Sequence, residues 1–109
     1  MLVDGGLGFS SGIGNAGALA KEQEDAGYSG VWTAETSHDP FLPLVLAAEH
    51  TSTIELGTSI AVAFARSPMI VAVAAWDLRG AYGERFELGL GPQVRGNIVR
   101  RYSERWTPP

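Results

Sequence analysis

The sequence predicts an α/β protein of about four parallel βα units, which amounts to half of a (β/α)₈ TIM barrel. Apolar segments of strand character alternate with helical segments, and the connections between them are short, as in parallel sheets with right-handed crossovers. The 109 residues fit one domain, whereas a closed eight-stranded barrel takes about 250 residues. We therefore expect residues 1–109 to form a single N-terminal half-barrel domain, a fragment of a longer barrel. A small open α/β sheet, complete as it stands, fits the same alternation and remains an alternative.

Four short apolar runs bounded by glycine or polar residues are the strand candidates. They cover residues 1–7, 30–33, 54–62 and 86–90. The third is the longest. Right-handed crossovers between neighbours predict parallel strands in sequential order, with all helices on one side of the sheet.

Helix signals lie between the strand candidates. Asn15 is a suitable N-cap for a helix that ends near residue 26, where Gly27 follows. Pro40 suits the first turn of a second helix, which runs through His50. A fourth helix is predicted over residues 96–102.

The third helix is predicted over residues 69–78, after Pro68, and it has almost no polar face. A helix that is apolar all round is buried on more than one side. Tight packing within one domain would satisfy it, but in so small a chain we favour a subunit interface.

Composition excludes several classes of function. The formal net charge is −4 and no Lys/Arg-rich stripe is present, so we expect no nucleic-acid partner. Cysteine is absent, which excludes disulfides and thiolate metal sites. The apolar run over 68–78 is shorter than the roughly 20 residues that a membrane span needs, and the start has no basic signal-peptide region. We expect a cytoplasmic protein with no membrane partner.

One motif suggests a dinucleotide-binding fold. Residues 12–17 match G-x-G-x-x-G at the start of a helix, and Glu35 ends the next strand, where it would bind a ribose. However, the first glycine of that motif should follow the strand at once, and here Phe9, Ser10 and Ser11 lengthen the turn. A βα loop with glycines at its turns is the favoured interpretation, and an NAD-binding Rossmann-type domain is less favoured.

Barrels carry their sites at the C-terminal ends of the strands, where this chain places Glu35, His38 and Asp39. His38 could donate a hydrogen bond to a bound ring or transfer a proton, or be a solvated loop residue. With His50 as the only other histidine, we expect no metal site. Arg66 and Arg95 would be either ligands for an anion or ordinary surface charges.

Three blocks resemble a known family by their order and spacing: residues 54–60 (IELGTSI), 66–68 (RSP) and 83–91 (GERFELGLG). Together with residues 25–32, they are similar to the luciferase-like monooxygenase superfamily. Within that superfamily, residues 32–41 (WTAETSHDPF) resemble actinobacterial oxidoreductases that depend on coenzyme F420.

The resemblance implies a (β/α)₈ barrel with a deazaflavin or flavin ring at the strand C-termini, and a non-prolyl cis peptide bond after the third strand. By motif match that bond is Ser59–Ile60. The implied cofactor is coenzyme F420, with FMN as the alternative. The corresponding reactions are hydride transfer and oxygen activation by reduced FMN. Glu35 and His38 are the implied catalytic residues. The implied cofactor-binding residues are Phe9, Ser59, Ile60, Ala61, Gln93 and Arg95.

Two departures from the family bear on activity. Many family members carry an acid after the glycines of the fourth strand, where this chain has Pro92, Gln93 and Val94. The second half of the barrel, which supplies most contacts to the cofactor phosphate, is missing. We expect this fragment to lack complete activity alone, and whether it binds any cofactor is left open. A catalytically silent, self-assembling half-barrel module is the alternative from another class of function.

Assembly is expected on physical grounds. An open half-barrel exposes unpaired backbone groups along its first and fourth strands. One sheet face, with residues such as Val3, Val31 and Leu88 or their neighbours, also lacks the opposite half of the core. Two copies related by a two-fold axis could close eight strands, and the resemblance suggests further dimers through the second and third helices. The expected partners are a second copy of the chain and, in the full enzyme, a small-molecule substrate.

Overall fold

The computed structural model describes residues 2–8 and 12–92, and it contains alternating strands and helices. The elements are β1 (Asp4–Gly6), α1 (Ala16–Asp25), β2 (Gly30–Thr33), α2 (Leu42–His50), β3 (Glu55–Thr58), β4 (Ala61–Val62), α3 (Pro68–Tyr82), β5 (Phe86–Glu87) and β6 (Leu90–Gly91). Short 3₁₀ helices span Ile13–Asn15, Ala63–Ala65 and Gly83–Arg85. The predicted helix over 96–102 lies outside the described residues.

The main sheet has the order β1-β2-β3-β5, and all of its strands are parallel. A second parallel pair joins β4 to β6 beyond β3 and β5. The prediction of parallel strands in sequential order is therefore confirmed. In a doubly wound dinucleotide fold the order would reverse beside the first strand, whereas here β1 is the terminal strand of the order.

The third and fourth predicted strands are each divided in two. Between β3 and β4 the Ser59–Ile60 peptide bond is cis, as the resemblance predicted. Between β5 and β6 the hydroxyl of Thr58 donates to the Gly89 carbonyl oxygen at 2.8 Å and accepts from the Gly89 N–H at 2.9 Å. This side chain takes the place of a backbone partner, so the strand ladder is interrupted there.

The helices begin and end near the predicted residues. Asn15 stands at the N-cap of α1, but its side chain makes no capping hydrogen bond. α2 begins at Leu42 rather than Pro40. Before it, Asp39 Oδ2 accepts from the N–H groups of Phe41 and Leu42 at 2.7 and 2.8 Å, as an N-cap side chain does. α3 runs four residues beyond the predicted 78 and ends at Gly83, whose φ of 70° favours glycine.

All three helices cover the same face of the sheet. Alternation along the strands points Val31, Leu56 and Phe86 to this face, and they share one buried cluster with helix residues. The helix residues of the cluster are Ala16, Ala20, Leu44, Ala47, Ala48 and Leu78. The prediction of helices on one side of the sheet is thus confirmed.

The opposite face is not covered by any described helix. The strand register aligns Gly6, Trp32, Gly57 and Glu87 across it in one row. The sequence left open whether Val31 or a neighbour lies on this face. Strand alternation turns Val31 to the helices and its neighbour Trp32 outward.

α3 is exposed along much of its length. Trp76 and Met69 are 79% and 70% exposed, and Ile70 and Val73 are also exposed, whereas Val71 and Leu78 are buried. The alternative that α3 packs on all sides within one domain is therefore wrong for residues 2–8 and 12–92, because none of them covers its exposed face. Among residues 2–8 and 12–92, no helix is long and apolar enough to cross a membrane.

Candidate functional site

The C-terminal ends of the central strands meet through backbone hydrogen bonds. The Ser59 N–H donates to the Thr33 carbonyl oxygen, and the Glu35 N–H donates to the Ile60 carbonyl oxygen at 3.1 Å. On the other side, the Ala61 N–H donates to the Gly89 carbonyl oxygen at 2.9 Å. The residues that follow β2 therefore lie directly beside those that follow β3, as parallel strands require.

The Glu35 carboxylate accepts hydrogen bonds from both sides of this junction. Its Oε1 accepts from the Val62 N–H at 2.6 Å and from Arg66 Nη1, and its Oε2 accepts from Arg66 Nη2 at 2.6 Å. The Glu35 side chain is only 8% exposed and that of Arg66 15%. Such bidentate, charge-assisted pairs are the stronger kind of hydrogen bond.

Arg66 has two further neighbours. Its Nη2 lies 3.3 Å from Asp39 Oδ1, and its guanidinium carbon lies 5.3 Å from the centre of the Phe41 ring, within cation–π range. The hydrogen bond with Glu35 is the main cause that raises the pKa of Arg66. With one positive and two negative groups this set carries a formal charge of −1. Of the two roles that the sequence left open for Arg66, this arrangement fits neither an anion ligand nor an ordinary surface charge.

The other predicted site residues differ in position. His38 is half-buried in the β2–α2 connection, between Glu35 and Asp39 in sequence, and its carbonyl oxygen accepts from the Thr36 N–H at 3.4 Å. Ser59 is exposed, Ile60 half-buried and Ala61 buried.

Three of the predicted cofactor-binding residues, Phe9, Gln93 and Arg95, lie outside the described residues. Within the described ranges, no three histidine, aspartate or glutamate side chains come together as a metal cluster.

A cleft of about 390 Å³ lies on the uncovered sheet face beside the cis bond. Its lining consists of Asp4, Trp32, Thr58, Ser59, Ile60, Glu87, Leu88 and Gly89. A volume of this size is typical of small-molecule pockets, and the Trp32, Ile60 and Leu88 side chains suit a planar aromatic ring. The carboxylates of Asp4 and Glu87 do not suit a phosphate group. The described residues therefore fit the ring of a flavin-like cofactor but not its phosphate.

Two of the three glycines of residues 83–91, Gly89 and Gly91, are explained by close approach. A Cβ on Gly89 would overlap the Thr58 carbonyl oxygen, and a Cβ on Gly91 would overlap the Ile60 side chain. Arg85, in the same block, donates to the carbonyl oxygens of Ala48 and Ile54, each at 3.2 Å. This arginine thus links the 3₁₀ helix before β5 to the α2–β3 connection, a role that the sequence pattern did not reveal.

Residues 12–17 span the 3₁₀ helix Ile13–Asn15 and the start of α1. Gly12 and Gly14 have open space where a Cβ would stand, and a Cβ on Gly17 would overlap the ring of His50 on α2. Gly17 therefore allows α1 and α2 to pack closely, and together with the strand order this disfavours the dinucleotide interpretation.

Comparison with known proteins identifies the family. The model of the luciferase-like monooxygenase family matches residues 3–109, nearly the whole chain. The chain belongs to this family.

Two proteins of Mycobacterium tuberculosis are similar to this chain over most of its length. An uncharacterised protein of Mycobacterium tuberculosis is 57% identical over 97 residues, which are 89% of this chain and 28% of that protein. A second protein of M. tuberculosis, provisionally named a coenzyme F420-dependent oxidoreductase, is 37% identical over 99 residues, 87% of this chain and 28% of that protein. The chain thus spans less than a third of the length of these relatives.

A solved structure of an F420-dependent enzyme is also similar to this chain. The coenzyme F420-dependent tetrahydromethanopterin reductase of Methanopyrus kandleri superposes with a TM-score of 0.81 at 26% identity. The superposition covers 92% of this chain and 29% of the reductase. The described strands and helices are therefore about a third of a luciferase-like TIM barrel.

Proposed function

We propose that this chain provides the first βα units of a coenzyme F420-dependent oxidoreductase that transfers a hydride to or from a small-molecule substrate. The observation that carries the proposal is the meeting of the His38-bearing connection with residues 59–61 at the C-terminal ends of adjacent strands. The similarity to the F420-dependent relatives supports the choice of cofactor. We propose residues 1–109 as a single half-barrel unit in the cytoplasm.

The two proposed catalytic residues differ in what they can do. The Glu35 carboxylate already accepts three hydrogen bonds, so it is poorly placed to move a proton. His38 is therefore the residue that we propose to donate a hydrogen bond or a proton to the ring or the substrate. Ser59, Ile60 and Ala61 are proposed to contact the ring, and Phe9, Gln93 and Arg95 to contact other parts of the cofactor.

The cofactor, when bound, supplies the hydride chemistry, and the chain supplies position and environment. The apolar side chains of Trp32, Ile60 and Leu88 would exclude water from one side of the ring. The phosphate-bearing part of the cofactor needs residues beyond those described, because the cleft is lined by carboxylates. A complete site thus requires completion of the barrel, by a second copy of this chain or by the remaining units that its longer relatives possess.

Titration of the purified chain with coenzyme F420, followed by deazaflavin fluorescence, tests the proposal. We expect saturable binding that His38→Gln weakens by about tenfold, the equivalent of one lost charge-assisted hydrogen bond. His50→Gln is the matched control, since His50 lies at the far end of α2 with its Nδ1 2.8 Å from the Leu46 carbonyl oxygen, and it should bind as the parent does.

Other results would change the assignment. Saturable binding of FMN but not F420 would move the chain to the FMN-dependent monooxygenases of the family. No response to either cofactor, from a folded and self-associated chain, would overturn the proposal in favour of a catalytically silent assembly module.

A further inference from the structure

The set of residues around Arg66 joins two segments that are far apart in sequence. We define the Arg66 clamp as Arg66 with Glu35, Asp39 and Phe41. Glu35 and Asp39 belong to the connection between β2 and α2, whereas Arg66 follows β4, about thirty residues later. Each contact of Arg66 with these three residues therefore crosses from one connection to the other.

We propose that Arg66 is a positioning residue, which fixes the His38-bearing connection (residues 34–41) against residues 59–62. Its effect on cofactor binding rests on the proposed function, but its effect on the connection does not. His38 lies three residues after Glu35 and one before Asp39, so both carboxylates that bracket it in sequence are held by one guanidinium.

The geometry supports a fixed arrangement rather than a loose surface pair. Glu35 makes two hydrogen bonds to this segment. Its N–H donates to the Ile60 carbonyl oxygen, and its carboxylate accepts from the Val62 N–H. Arg66 Nη1 also lies 3.4 Å from the Val62 carbonyl oxygen. Exposed ion pairs contribute little to stability, but this pair is largely buried and bidentate.

The clamp also reaches the start of α2. Asp39 uses Oδ1 for Arg66 and Oδ2 for the N–H groups of Phe41 and Leu42, which open the helix. The guanidinium lies over the Phe41 ring as well. Both ends of the connection are thereby held: Glu35 beside β4, and Asp39 and Phe41 at the helix.

The test is Arg66→Met, compared with Arg66→Lys and with the control Arg79→Met. Arg79 is exposed, and among residues 2–8 and 12–92 its one ion pair is with Glu84 on the surface. Hydrogen exchange of the Val62 amide and the imidazole NMR signals of His38 are the readouts, and neither needs a bound cofactor. Arg66→Met should speed Val62 exchange by about tenfold or more and shift the His38 signals. Arg66→Lys keeps the charge but not the bidentate geometry, so we expect an intermediate effect, and Arg79→Met should change neither readout.

Unchanged Val62 exchange and unchanged His38 signals in Arg66→Met would overturn the proposal. If Arg66→Met does not fold, Glu35→Gln and Arg66→Lys decide by the same readouts, since each weakens the pair without leaving a buried unpaired charge. If the parent chain binds no F420, the proposed function fails, while exchange and NMR still judge the role of Arg66.

Discussion

Gly89 and Gly91 stand two residues apart and have different surroundings. An added Cβ at Gly89 would overlap the backbone carbonyl of Thr58, whereas at Gly91 it would overlap the end of the Ile60 side chain. A backbone atom cannot move away without breaking the strand junction, but a side chain can adopt another rotamer. Because overpacking costs about 1–3 kcal/mol, we expect Gly89→Ala to lower the free energy of unfolding by about 3 kcal/mol and Gly91→Ala by about 1 kcal/mol. Urea unfolding measures both, and equal losses would contradict this account.

Glu24 shows a second residue-level effect. Its Oε2 accepts from the N–H groups of Ser52, Thr53 and Ile54 at 2.9–3.0 Å, and these hydrogen bonds, that of Thr53 foremost, lower its pKa to about 2. Since the folded pKa lies below the ordinary 4.5, the stabilisation is complete above about pH 4.5 and is lost as the pH falls toward 2. We expect Glu24→Gln to cost about 2 kcal/mol at pH 7 and almost nothing near pH 2. Unfolding free energies of both proteins across this range provide the measurement; a pH-independent difference would rule out the carboxylate as the cause.

Sequence reasoning at the residue scale succeeded where a motif fixed a position. The cis bond at Ser59–Ile60 followed from the match of residues 54–60 to the family. The pairing of Glu35 with Arg66 was not predicted, since it depends on which side chains face each other across two neighbouring strand ends. The sequence did contain one signal for this pair: an acid and a base, Glu35 and Arg66, each follow a predicted strand, and those strands are neighbours. Glu24 gave no signal, because the groups that lower its pKa most are backbone N–H groups of residues 52–54.

At the scale of elements, α3 exposes several large apolar side chains that helices usually bury. Met69, Ile70, Val73 and Trp76 share one exposed face of this helix, opposite Val71 and Leu78. If this face mediates self-association, as the sequence suggested, a charge there should disrupt it, because burying an unpaired carboxylate is costly.

We expect the double variant Ile70→Glu/Trp76→Glu to raise the dissociation constant for self-association by at least about a hundredfold. Sedimentation equilibrium at micromolar concentrations gives this constant. Lys21→Glu, on the exposed surface of α1, adds negative charge elsewhere and should leave the constant unchanged. Undiminished association of the double variant would exclude the α3 face.

Some element boundaries were predicted by a local signal, although α2 begins two residues after Pro40 and α3 runs beyond residue 78. Gly27 and Gly83 lie at the ends of α1 and α3, and Pro68 opens α3. The breaks within the third and fourth strands escaped prediction, because an apolar run gives no sign that a side chain such as Thr58 replaces a ladder hydrogen bond.

For the whole molecule, charge on the uncovered sheet face bears on assembly. Register places Asp4 and Glu55 on that face with Glu87, and all three are exposed. Two copies that closed an eight-stranded barrel would bring six carboxylates toward one interior, where like charges repel. The sequence predicted the missing half but left open whether Val31 or a neighbour faces this side, because a short apolar strand does not show which way its side chains alternate.

Neutralisation of these acids separates the two routes of self-association. If copies pair by closing the barrel, Asp4→Asn/Glu55→Gln/Glu87→Gln should tighten association by about tenfold or more at low salt. If they pair through α3, the same variant should associate as the parent does. Light scattering against concentration distinguishes the two, with Glu22→Gln on α1 as the control for loss of charge alone.

Trp32 is the one large ring in the row of Gly6, Gly57 and Glu87, and it lies across Gly57. The chain has two other tryptophans, Trp76 and Trp106, and replacing both by phenylalanine would leave one indole, on the face that a barrel interior must enclose. Indole emission moves to shorter wavelength when water leaves its surroundings. The colour of that single emission band would therefore report, without any label, whether the sheet is open or enclosed.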